Sequence, residues 1–72
     1  MTRTCVLQSE LYPPDILDLT EREFERLCRV QRRTIEGGVL ITIEPTADAP
    51  PETPDEFLNF MLCAALERRL SA

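Results

Sequence analysis

The chain has 72 residues and a formal net charge of −5, with 13 acidic side chains against 8 basic ones and no histidine. That length makes one domain, residues 1–72, which buries only about 60% of its unfolded surface, so small domains of this kind usually gain stability from a disulfide, a metal or a second subunit. The acidic balance argues against a nucleic-acid binder, which needs a basic surface to displace counterions from phosphates.

Residues 2–9 are rich in β-branched and apolar side chains and predict a first strand. Tyr12-Pro13-Pro14 ends it, because proline cannot donate to a ladder and disfavours helix in the residue before it. Pro14 then suits the first turn of a helix, where a missing N–H costs little. Ile16, Leu17, Leu19, Phe24, Leu27 and Cys28 fall mainly on one helical face, which predicts one irregular helix ending near residues 26–29. Thr20-Glu21-Arg22-Glu23 also has the form of a capping box, so a short turn before a helix capped at Thr20 is the other reading.

Two strand-like runs, 30–36 and 39–44, flank Gly37-Gly38 and predict a tight hairpin with both glycines at positive φ. In the second arm Val39, Ile41 and Ile43 alternate with Leu40, Thr42 and Glu44, so one face is strongly apolar. The first arm is more polar and is expected to meet solvent on at least one side. Residues 45–53 form a connector rich in proline and acid. Thr53 as a cap, Pro54 at the first helical position, and Asp55 and Glu56 against the positive end of the dipole predict a last helix over 54–70.

That helix is apolar almost all round, with only Asn59 polar between positions 57 and 66. A stripe about 100° wide is enough to pack one helix on one sheet. Phe57, Met61, Leu62, Ala64 and Ala65 can face the chain's own sheet, which leaves Leu58, Phe60 or Leu66 needing cover from the first helix or from a partner. Leu58, Phe60 and Leu66, together with the large neighbours Met61 and Leu62, are the expected partner interface. A different surface is offered by the arginines. All eight basic residues are arginine, and Arg22, Arg26, Arg29, Arg32 and Arg33 crowd together among Glu21, Glu23 and Glu25. The expected outcome is a solvated, salt-bridged face, with Arg29, Arg32 and Arg33 as the basic patch that a nucleic acid would meet.

Little catalytic chemistry is on offer. Without histidine the commonest general base is missing, and with it any Ser-His or Cys-His nucleophile. Ser9 and Ser71 stand near the ends of elements or of the chain, and the carboxylate pairs Asp15/Asp18 and Asp55/Glu56 stand at helix starts, where acids oppose the dipole. Cys5, Cys28 and Cys63 are odd in number, widely spaced and set among apolar residues, so three buried, reduced thiols are expected rather than a zinc site. Neither a metal nor a cofactor is expected, and no enzymatic activity. Only three apolar residues follow the first four positions, and the apolar run at 60–66 is far short of the ~20 residues that span a bilayer, so no leader, no membrane and a cytoplasmic place are expected.

The order strand, helix, hairpin, helix is joined by Leu11-Tyr12-Pro13-Pro14-Asp15-Ile16 at the first helix start. Glu56-Phe57-Leu58-Asn59-Phe60-Met61-Leu62 then lies in the last helix, with Arg68-Arg69 near its end. In these respects the chain resembles the HxsD-type small proteins of His-Xaa-Ser peptide-modification systems. Where those proteins tend to carry Ala-Ala-Tyr in the first helix, this chain has Thr20-Glu21-Arg22. The resemblance implies an accessory protein acting beside radical-SAM maturases in peptide maturation, and it implies no catalytic residues. The expected fold is α+β, in the order β-α-β-β-α, with a small, mostly antiparallel sheet and two helices packed on one face. The expected function is a non-enzymatic binding or accessory module, a homodimer or a subunit of an assembly. The alternative is a small nucleic-acid-associated regulator using the arginine cluster at 22–33.

Overall fold

Ile41 and Ile43, alternate residues of one strand, are completely buried and mark the face of the sheet on which everything else packs. The computed structural model describes residues 2–71 and contains β1 (Arg3–Gln8), α1 (Pro14–Glu23), β2 (Cys28–Ile35), β3 (Gly38–Pro45) and α2 (Thr53–Ser71). The three strands form one antiparallel sheet in the order β1-β3-β2. β1 and β2 are both antiparallel to β3, so they run parallel to each other with β3 inserted between them. This is the α+β, β-α-β-β-α architecture that the pattern of the chain predicts.

The alternation of β3 sets the two faces. Register places Cys5 and Arg32 on either side of Ile41, and Arg3 and Val30 on either side of Ile43, so these residues share the covered face. Leu7, Cys28, Ile41 and Ile43 of the sheet meet Ile16 and Leu17 of α1 and Phe57 and Met61 of α2 in a single core. Each large side chain removed from water in this way contributes about 1.5–3 kcal/mol. Both helices lie over that face, and they run antiparallel to each other. Phe24, just past the end of α1, packs edge-on against Phe57 and Phe60 near the start of α2, with ring centroids 5.4 and 5.8 Å apart. At the other end Asp15 of α1 pairs with Arg68 of α2.

Several boundaries differ from the sequence expectation, each for a local reason. α1 is one helix, but it stops at Glu23. The Phe24 carbonyl accepts hydrogen bonds from both the Leu27 and Cys28 N–H groups (2.9 and 3.0 Å), and this turn brings the chain into β2 at Cys28 rather than at residue 30. Thr20 is not a cap. It is fully buried in mid-helix, where its hydroxyl donates to the Ile16 carbonyl at 2.8 Å. Thr53 is likewise buried, and its hydroxyl donates to the Pro50 carbonyl at 2.7 Å instead of accepting a helix N–H. Pro45 belongs to β3 and Thr53 to α2, so the connector is residues 46–52.

The hairpin also turns one residue earlier than expected. Ile35 faces Gly38 across the ladder, which makes Glu36 and Gly37 the two loop residues. Only Gly37 has positive φ, at 81°, the sign pattern of a type II turn. Gly38 is glycine for a steric reason, because a Cβ there would stand 2.2 Å from the Leu7 carbonyl oxygen of β1.

Candidate interaction surface

The surplus of apolar residues on α2 is divided among three environments. Phe57, Met61 and Ala65, four residues apart in each step, form the buried stripe. Met61 is only 1% exposed, so it is a core residue and not part of a partner interface as the sequence reading had it. Phe60 is covered by α1 through Phe24, and Leu58 packs half-buried at the border of the core. Leu62, expected either against the sheet or in the interface, turns away from the sheet, because it stands about 100° round the helix from Met61. It is 44% exposed, Leu66 is 47% exposed and Leu70 86%. Leu58, Leu62, Leu66 and Leu70 thus climb α2 at intervals of four, half-buried at the first and open to solvent above it. Leu70 was missed from sequence, although the spacing of four that begins at Leu58 extends to it.

The expected basic patch is divided between two faces. Alternation puts Arg29 and Arg33 on the uncovered face of the sheet, while Arg32 lies on the helix side. There Arg32 donates from Nε to Glu21 and from Nη2 to Asp18, both on α1. Burial alone would lower the pKa of this guanidinium, but its hydrogen bonds with Asp18 and Glu21 outweigh that and raise it. Arg32 is therefore a link between β2 and α1 rather than a member of an open cluster. On the uncovered face Arg29 sits opposite Glu44, and Arg33 sits opposite Leu40, which in turn faces Val6 of β1. The row Val6-Leu40-Arg33 was not singled out from sequence. Its signal is the three consecutive apolar residues in Cys5-Val6-Leu7 and again in Val39-Leu40-Ile41, since a strand with apolar residues in succession puts some on each face.

The thiols separate by exposure. Cys28 is buried, and its Sγ donates to the Phe24 carbonyl at 3.6 Å. Burial pushes the Cys28 thiol pKa up, with the Glu21 charge adding to the effect. Cys5 is half-buried and is also pushed up by burial, against the opposing pull of Arg3. Cys63 is exposed on α2, which corrects the expectation of three buried thiols. Among the described residues no three His, Cys, Asp or Glu side chains gather to hold a metal.

The surface hollows are modest. One, about 150 Å³, is lined by Thr2, Arg3, Pro51, Pro54 and Asp55. Another, about 360 Å³, lies over the turn after α1 and is lined by Arg22, Glu23, Glu25, Arg26 and Leu27. Both are open to solvent rather than enclosed as small-molecule sites are, and no cysteine or serine lines either of them. Among the described residues no helix is long and apolar enough to cross a membrane.

The fold defines the chain as a small α+β domain, and its most distinctive surface is the open apolar side of α2. Comparison with protein-family models, with curated proteins and with solved structures finds no match.

Proposed function

We propose that the chain is a non-enzymatic protein-interaction module that docks through the open side of α2, as a subunit of an assembly or as a homodimer in the cytoplasm. The observation that carries this is the run of Leu62, Leu66 and Leu70 along one side of the helix, exposed together after the core and α1 have taken Phe57, Phe60, Met61 and Ala65. A contiguous apolar strip of this kind on a small protein marks a place where another surface belongs. An accessory role in peptide maturation, which the HxsD-type resemblance implies, fits a module that works by docking. The nucleic-acid reading draws less support, because Arg32 is occupied by Asp18 and Glu21 and Arg29 faces Glu44.

The test is native mass in cell extract. The wild-type chain is expected to run in a species larger than its 8.3 kDa, and a Leu62→Glu/Leu66→Glu variant to run as a folded monomer of unchanged helix content. A wild type that runs as a monomer both in extract and, purified, at about millimolar concentration would overturn the reading.

A further inference from the structure

We infer that the occupant of this face is a second copy of the same chain, packed with its α2 antiparallel to the first. The inference rests on the docking surface proposed above and names its partner. Down the open flank of α2 run Asp55, the half-buried Leu58, Leu62, Leu66 and Arg69, at successive spacings of three, four, four and three, with Leu70 at the edge of the strip. On a helix of 3.6 residues per turn these positions fall on one side. The series reads the same from either end in spacing, with an acid at one end, a base at the other and leucines between. Turned end for end against itself about a two-fold axis at Leu62, it brings Leu62 to Leu62, Leu58 to Leu66 and Asp55 to Arg69. A two-fold interface has to be self-complementary in this way. A parallel pairing in register would set Asp55 against Asp55 and Arg69 against Arg69.

The flank is also accessible. α1 occupies the other side of α2, where Phe24 meets Phe60, so nothing from the chain's own first helix covers Leu62. Asp55 pairs with Arg3 of its own chain while remaining well exposed, which leaves room for a second cation. Arg69 carries no ion pair among the described residues. Glu56 and Glu67 stand about 120–140° round the helix from Leu62, so they point away from such a pair.

The experiment is the molar mass of the purified chain by light scattering over a concentration series, with circular dichroism confirming that every variant is folded. The wild type is expected to dimerise reversibly. Leu62→Glu, which puts two carboxylates on the two-fold axis, should be a folded monomer. Arg69→Asp turns two attractive contacts per dimer into repulsive ones and should weaken dimerisation about tenfold. Asp55→Arg/Arg69→Asp in one chain should restore it. A wild type that stays monomeric at about millimolar concentration overturns the second copy, and if its large species in extract persists, the docking reading survives with a different partner. A wild-type dimer that is indifferent to Arg69→Asp overturns the antiparallel pairing.

Discussion

A methyl group added at Gly38 would sit 2.2 Å from the Leu7 carbonyl oxygen, inside the β1–β3 ladder, whereas one added at Gly37 would meet nothing within 4 Å. The neighbouring glycines are therefore constrained by different physics. At Gly37 the backbone is in the left-handed region, which costs an L-residue about 1–2 kcal/mol. At Gly38 the φ angle is ordinary and the obstacle is another strand's backbone, which cannot swing aside like a flexible side chain. Gly37→Ala should thus lower unfolding stability by about 1 kcal/mol, and Gly37→Asn by less, since asparagine tolerates that region. Gly38→Ala should cost about 2–3 kcal/mol, because β1 has to move off β3 to admit it. Urea denaturation of the three variants checks this, and a Gly38→Ala no worse than Gly37→Ala would show that β1 yields easily. A domain of this length has on the order of 4–10 kcal/mol in total, so the difference is large enough to read.

The two helices are joined at one end by aromatic packing and at the other by charge. Asp15, at the start of α1, has its carboxyl held below its ordinary pKa of 3.8, first by the side-chain hydrogen bond from Arg68 at the end of α2. A carboxyl whose folded pKa is depressed stabilises the fold above its unfolded value, and that contribution disappears as pH falls through the folded one. The wild type should therefore lose stability on acidification below about pH 4 more steeply than Asp15→Asn, which has no proton to take up there. Thermal melts of both proteins between about pH 5 and 2 measure the difference, and parallel curves would mean that the pair does not hold in solution. At this scale the sequence was most readable where a period or a punctuating residue was strong. The alternation of Val39, Ile41 and Ile43, the Pro13-Pro14 stop and the acidic opening of α2 each led to the right element. The end of α1 was not readable, because a single carbonyl, that of Phe24, decides it by accepting two N–H groups in a turn with no signature residue. The turn register was misread for a related reason, since one of the two glycines answers to a strand that is distant in sequence. For the candidate surface, periodicity pointed to α2 but could not tell which of its leucines and phenylalanines α1 would cover. Likewise, no pattern along the chain reveals that Arg32 reaches α1 while Arg29 and Arg33 face the other way.

Taken as a whole, the molecule has one covered sheet face, one open one, and a net negative charge. Arg29 and Arg33 on the open face are two cations flanked by Glu44, Gln31 and Leu40, with no aromatic ring on which a base could stack. Binding to duplex DNA should accordingly be weak at low salt and vanish by about 0.15 M, as expected when few phosphates are neutralised. A fluorescence-anisotropy titration at several salt concentrations measures it, and sequence-specific affinity tighter than about micromolar at that salt would make the arginines functional after all. The strand order has a consequence for how the chain can be assembled or divided. The two outer strands are not hydrogen-bonded to each other, and within the sheet each pairs only with the one between, which is made after both. The pair β2–β3 closes through a two-residue loop, while Gln8 waits for Gly38, thirty positions later (38 − 8), to find its partner. Short loops close far more readily than long ones. The hairpin should then act as the template and β1 as the late arrival, and a chain cut between residues 35 and 38 would hold two edges with no centre to join them.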